Sequence, residues 1–383
     1  MSSLRERAQD ARIIITCGPG GIGKTTSAAA IGLSLATTTA QRVLVLTVDP
    51  ARRLATALNL EGIGNEISSV DLPDALGTLS VAMLDTKASW DALIRRHADS
   101  EANAEAILSN TLYRNITERF IQSHDYIAME RLYELVETGE FDVIVVDTPP
   151  TRNALDFLDA PSRMADFFSS RLLRWLIAPA RGGVAALAAK PFTMVADRIL
   201  GGAFIGDMSE FFMLLATMYE GFVERARAVE ALLTLPTTCF VVVSTLEATP
   251  LTEAQFFCEE LTKRHLQLVG WLVNRVLPLS LAASSFELDE RALEESPALQ
   301  NIGDAATRER ISSILEVNLE AWSTVARRER RALDQLATGG VPITTVASRD
   351  GLVNDVADLV ILGQLIMDTP SVLKSNDVSA TPS

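Results

Sequence analysis

With 383 residues, 48% of them apolar and 22% charged, the chain can bury a large core and is too apolar to be disordered. A net charge of −15 argues against a nucleic-acid partner, because duplex binding needs a cationic face that displaces counterions. Three cysteines, Cys17, Cys239 and Cys258, lie too far apart in sequence for a thiolate cage, so no zinc is expected and reduced cytosolic thiols fit best.

The first twelve residues lack the long apolar stretch of a secretory signal. Arg12 to Cys17 (RIIITC) reads as a strand buried on both faces, and Ala-rich Thr25 to Ala36 as the helix after a glycine turn. Val43 to Val48 is the next buried strand, ending in Asp49-Pro50, and Leu79 to Met83 is a weaker candidate near the sheet edge. Phe141 to Val146 ends in Asp147; Thr238 to Ser244 and Leu268 to Val273 continue the series. Neither long uncharged run reads as a membrane span: Thr25 to Gln41 is rich in Thr, Ser, Gly and Ala, and Ala231 to Leu246 is broken by Pro236. Buried strands alternating with helices predict an α/β fold with a doubly wound, mainly parallel sheet.

Two helical regions interrupt the alternation. In Lys87 to Glu137, Ile127, Leu132, Leu135 and Val136 recur at helical spacing against Glu130, Arg131 and Glu134. Between Phe157 and Phe222 lie eight of the 14 Phe and five of the nine Met, with glycine pairs at 182–183 and 201–202 as hinges. Pro278 to Asp304 reads as an exposed acidic stretch. Arg308 to Ala337 is predicted as one long helix, with Ile311, Ile314, Leu315, Trp322 and Val325 inward and Arg327, Arg328, Arg330 and Arg331 outward. With the phosphate-loop pattern GPGGIGKT at Gly18 to Thr25 in its first segment, the expected division is a discontinuous P-loop domain of residues 1–86, 138–156 and 236–368, a helical subdomain of 87–137 and 157–235, and a disordered tail of 369–383.

Gly18-Pro19-Gly20-Gly21-Ile22-Gly23-Lys24-Thr25 matches GxxxxGK[ST] between a predicted strand and a predicted helix, the context in which this motif cradles phosphates. The glycines let backbone N–H groups converge on phosphate oxygens, Lys24 neutralises the β and γ oxygens, and the Thr25 hydroxyl ligates Mg²⁺. Asp147, at a strand end, is where a carboxylate would hold Mg²⁺ through water; capping the following helix is its other reading. Asp49, ending the neighbouring strand, either positions attacking water or caps the helix after it. His97, His124 and His265 share no metal-ligand spacing, and Cys17 reads as a small buried hydrophobe.

GPGGIGKTT, TVDPARRL, DTPPTRNALDFLD and LVNRVLP occur in one order. In these motifs the chain resembles the arsenical pump-driving and tail-anchored-protein targeting ATPases over most of residues 12–365, and within them the actinobacterial anion-transporting-ATPase-like branch. The resemblance implies ATP and Mg²⁺ as ligands. It implies Asp49 as the hydrolytic carboxylate working with Lys24, and nucleotide contacts from Gly20, Gly21, Ile22, Gly23, Lys24, Thr25 and Thr26. Thr25 would ligate Mg²⁺ with Asp147 acting through water, and Asn274 would read the adenine edge. Two nucleotide domains would face each other, as a homodimer or as a heterodimer with a paralogous ATPase subunit. The Met- and Phe-rich insertion would serve a hydrophobic or membrane-protein client, with plain helical core as the other reading. A cytoplasmic location follows, with a peripheral one at the inner membrane face as its variant. The alternative function is the energising ATPase subunit of an anion or metalloid transporter.

The chain also departs from that family. Pro19 stands where a lysine reaching into the opposite subunit is usual. Arg52 and Arg53 follow Ala51, and Pro149, Arg152, Asn153 and Ala154 alter the segment after Asp147. Neither an inter-subunit CxxC nor a cysteine cluster for arsenite is present in the sequence.

Overall fold

The computed structural model describes residues 2–48, 58, 66–110, 113, 123–149, 158–160, 162–163, 166, 211–214, 218–283, 297, 304–348 and 355–371. Among these, eight strands form one sheet: β1 (Ile13–Cys17), β2 (Arg42–Thr47), β3 (Ser68–Val70), β4 (Thr78–Met83), β5 (Val143–Asp147), β6 (Thr238–Ser244), β7 (Gln267–Val276) and β8 (Ile343–Ala347). Their order across the sheet is 3-4-2-5-1-6-7-8. All neighbours run parallel except the short edge strand β3, which is antiparallel to β4. The helices are α1 (Leu4–Arg7), α2 (Lys24–Thr38), α3 (Thr86–His97), α4 (Glu101–Ser109), α5 (Ser123–Thr138), α6 (Tyr219–Leu233), α7 (Ala248–Lys263), α8 (Ala305–Ala337) and α9 (Val356–Asp368).

The central strands are unbroken Ile/Val/Leu runs because both faces of the sheet are covered. Ile13, Ile15, Leu44, Leu46, Ile144, Val146, Phe240 and Val242 join the core shared with α3 to α8. The alternating residues Ile14, Val43, Val45, Val145, Val241 and Val243 pack on the opposite side with α1, α2 and α9. Covered faces and parallel order make this the expected α/β fold. The amino-terminal segment is tied into it: Arg5 reaches Asp368 on α9 at 2.6 Å and Ser34 on α2 at 2.8 Å. At the other end of the described chain Pro370 pairs with Ser3, and Ser371 is buried. No helix among the described residues is long and apolar enough to cross a membrane.

Two sequence expectations meet a different packing. Helix α8 forms as one 33-residue element, about 50 Å long. It meets the body through Ser323, Ala326, Leu333, Leu336 and Ala337, while Ile314, Trp322 and Val325 stay 52%, 53% and 43% exposed. The apolar stripe, with Leu315 also 39% exposed, was expected inward; Ser323 and Ala326 beside it and Leu333, Leu336 and Ala337 toward the carboxyl end make the contact instead. Arg327, Arg328 and Arg331 are exposed as expected, and Arg330 is partly covered and pairs with Asp334.

Glu130 is the second difference. Expected on the polar face of α5, it is only 4% exposed and is bonded to Arg225 of α6 at 2.7 Å. Arg225 also binds Glu137 at 2.9 Å and lies over the Tyr133 ring, and Trp90, Tyr126 and Phe222 form a ring cluster in the same helical layer. His97, half-buried beside Gly221, has its pKa lowered by burial and by the Arg225 charge. Removing one partner of such a pair leaves a charge without compensation in low dielectric. Arg225→Ala should therefore cost about 2–4 kcal/mol, read in a chain of this size as a fall in Tm of roughly 3–5 °C. An unchanged Tm would show that the clasp between α5 and α6 contributes nothing net.

Candidate functional site

The site lies at the carboxyl edge of the sheet, where open α/β sheets collect ligands. Each central strand carries an apolar run that turns polar at or near its carboxyl end: Thr16 on β1, Thr47 on β2, Asp147 on β5 and Ser244 on β6. Parallel registration aligns three of them, Asp147 facing Thr16 on one side and Thr47 on the other. The Thr47 hydroxyl donates to Asp147 Oδ2 at 2.9 Å, and the Val48 N–H donates to the Asp147 carbonyl at 3.1 Å. Asp147 is fully buried. Thr148 donates its hydroxyl to the Thr16 carbonyl at 2.9 Å, fixing the chain as it leaves β5.

The loop from Gly18 to Gly23 joins β1 to α2, and Lys24 is the first residue of the helix. Gly18 has φ +139°, and a Cβ there would stand 2.2 Å from the Val243 carbonyl oxygen, so this turn excludes any side chain. Gly23 has φ +95°, and its Cβ would meet Asn274 Nδ2 at 2.5 Å.

Three loop carbonyls are held by protein donors. Pro19 O accepts from Lys24 Nζ at 2.7 Å, Ile22 O from Asn274 Nδ2 at 2.9 Å, and Gly23 O from the Ser27 N–H and hydroxyl, both at 2.9 Å. A trans peptide carries its C=O and N–H on opposite sides, so the N–H groups of Gly23 and Lys24 turn away from Asn274 and Ser27. Both belong to the amino terminus of the 15-residue helix α2, which favours anions.

Lys24 is 6% exposed and Ile22 2%, Thr25 and Thr26 are half-buried, and Gly20 and Gly21 are open to solvent. Gly18 and Gly23 without room for a Cβ, the N–H groups of a helix amino terminus, a lysine, a hydroxyl at Thr25 and a carboxylate at Asp147 fit a nucleoside triphosphate with a hard divalent cation. The fold thus brings the Gly20 to Thr26 set, Asn274 and Asp147 to one sheet edge. Asp49, Arg52, Arg53, Arg152, Asn153 and Ala154 lie outside the described residues. Thr47, Thr16 and Ser27 are contributors that sequence reasoning passed over. Their signal was there: a hydroxyl ends two of the apolar runs, and Ser27 sits one turn into α2.

All three cysteines are buried. Cys17, directly before the loop, donates its thiol to the Val241 carbonyl at 3.4 Å, and burial pushes its pKa well above the ordinary value. Burial likewise raises Cys239 to about 11 and Cys258 to about 12. Thiols of this kind stay protonated and unreactive.

A family model described as anion-transporting ATPase matches residues 11–313. ATPase GET3 of Rhodotorula glutinis is 26% identical over 267 residues, covering 69% of this chain and 70% of that protein. ATPase ARSA2 of Chlamydomonas reinhardtii is 24% identical over 292 residues, covering 73% and 71%. A Halobacterium salinarum protein named for an arsenical pump-driving ATPase is 29% identical over 189 residues, and the match spans 46% of this chain but only 28% of that protein. The family model spans most of the chain and takes in the loop, Asp147 and Asn274. The chain belongs to the anion-transporting ATPase family.

Proposed function

We propose that the chain hydrolyses MgATP as one of two facing nucleotide domains, and that its nucleotide cycle opens and closes a helical surface that handles a hydrophobic client. The observation that carries this reading is the direct run of two clasped helices into the site. Helix α5 leads into β5, which ends in Asp147, and α6 leads into β6, whose Val243 carbonyl backs Gly18. The Glu130–Arg225 pair joins these helices, so a shift at either strand end would be passed to both. Bound Mg²⁺ would neutralise phosphate charge, with Thr25 and Asp147 as the residues to hold it. Lys24 and the N–H groups of Gly23 and Lys24 would bind the phosphate oxygens, and Asp49 would orient or deprotonate the attacking water.

The Met- and Phe-rich stretch supports a client surface because flexible thioethers adapt to varied apolar partners. Most of it, including Met208, lies outside the described residues; Met213 is partly buried against the core of the helical layer. Against the alternative, an energising subunit of an anion or metalloid transporter, three buried, protonated thiols disfavour the capture of soft metalloids only.

Hydrogen exchange of the purified chain with its partner subunit should differ between Mg-ADP and a Mg-bound non-hydrolysable ATP analogue in residues 123–138 and 157–233. Photocrosslinkers at Met208 and Met213 should capture a membrane-protein segment. Identical exchange in both states together with no crosslinked client would sink the proposal, while ATPase stimulation by oxyanions would favour the transporter reading.

A further inference from the structure

The resemblance to known ATPases gives Asn274 one task, reading the base. Its bonds point to another. Asn274 sits near the end of β7, where the pairing with β8 shifts register between Val273 and Val276 and the next residue, Arg275, has φ +57°. A non-glycine residue held in the left-handed region at such an irregularity re-aims its neighbours. Here Asn274 is turned onto the phosphate loop: Nδ2 donates to Ile22 O at 2.9 Å, and Oδ1 accepts from the Arg275 N–H at 2.9 Å. The contact is close enough that Gly23 has no room for a Cβ beneath the amide.

We infer that Asn274 is a positioning residue for the phosphate loop, holding the Ile22–Gly23 peptide so that the Gly23 N–H faces the phosphates. The inference rests on the nucleotide reading above. Pro19 O and Gly23 O are held by Lys24 and Ser27, from α2 itself; Ile22 O is held by a strand 252 residues away in sequence. That bond anchors the loop to the sheet. Without it, the planar peptide between residues 22 and 23 is free to rotate about its flanking bonds and withdraw its N–H from the cradle.

A carboxamide has two donors and two lone pairs. One of each is used on the protein, leaving one of each for a base edge. One side chain therefore couples base recognition to loop alignment: a base that satisfies the free half fixes the amide plane, and the fixed amide fixes the loop.

Inorganic tripolyphosphate with Mg²⁺ separates the two tasks, because it offers phosphates and no base. Calorimetric titration of wild type and Asn274→Ala should show affinity falling about 2- to 12-fold for both MgATP and Mg-tripolyphosphate, as expected for one neutral hydrogen bond. The kcat for ATP should fall as well, since misaligned phosphates lose rate and not binding alone. Tm should stay within about 2 °C, as a surface-linked polar contact predicts. Equal tripolyphosphate affinity in the two proteins, with only MgATP weakened, would overturn the inference and leave base reading alone. Should Asn274→Ala fail to fold, Asn274→Ser keeps a polar strand end but falls short of Ile22 O, and the same comparison applies. A wild-type chain that binds neither ligand would remove the nucleotide reading instead.

Discussion

Replacing Lys24 by alanine should lower kcat/KM for ATP by about 10²–10³-fold and weaken MgATP binding by at least about tenfold, with the fold retained. Lys24 starts α2 directly after left-handed Gly23, and its ammonium lies within the loop, 2.7 Å from the Pro19 carbonyl. That geometry buries the lysine, 6% exposed, within the loop that opens α2. Charge on phosphoryl oxygens grows and shifts during transfer, so a buried ammonium there stabilises the transition state more than the ground state. Losing one charge-assisted contact of about 3–4 kcal/mol gives the expected factor, at roughly 1.4 kcal/mol per tenfold. Alanine is the best helix former and the position opens a helix, so Tm should move by no more than a few degrees. Phosphate release assays and calorimetry on the same preparation decide the matter: a variant keeping more than about a tenth of wild-type turnover would exclude Lys24 from the chemistry.

That site was legible in the sequence because its signals are local. Glycines, lysine and threonine stand within eight consecutive residues, and the apolar runs on either side announce strand and helix. Asp147 was legible for the same reason, as the first polar residue after an apolar run. Strand β8, with Thr344 and Thr345 inside it, and three-residue β3, with Ser68 and Ser69, carry little of that signal, and both were missed. Helix α9 passed unassigned because Gly363 interrupts its apolar run.

Contacts that depend on tertiary placement were invisible. Glu130 looked like a surface acid until α6 brought Arg225 across 95 residues, and Asn274 looked like a turn residue until β7 brought it under Ile22. In α8 the period was read correctly and the face was not. Periodicity reports which residues share a stripe, while packing decides whether that stripe or the smaller residues beside it meets the body. The same division separates the two carboxylates proposed for the nucleotide site: Asp147 can be argued from its bonds, and Asp49 from its place in the chain.

Asp49→Asn should part binding from hydrolysis, keeping MgATP affinity within about threefold while kcat falls by about 10²–10³-fold. Asp49 directly follows Val48, whose N–H donates to the Asp147 carbonyl at 3.1 Å, and Thr47 before it donates to the Asp147 carboxylate. Position 49 therefore follows directly on a point bonded to the residue proposed to hold Mg²⁺. A carboxylate in that setting can accept a proton from water or fix its lone pairs for in-line attack; a carboxamide of the same size cannot take the proton. The rival role, capping the helix that follows, makes the opposite prediction, because asparagine caps a helix as well as aspartate does. Retained turnover with an unchanged Tm would thus remove Asp49 from the mechanism and leave capping as its remaining role. Lost turnover with tight MgATP binding and an unchanged Tm would assign it to the water. The same variant, held in the ATP state, would show in hydrogen exchange whether binding alone or hydrolysis moves α5 and α6.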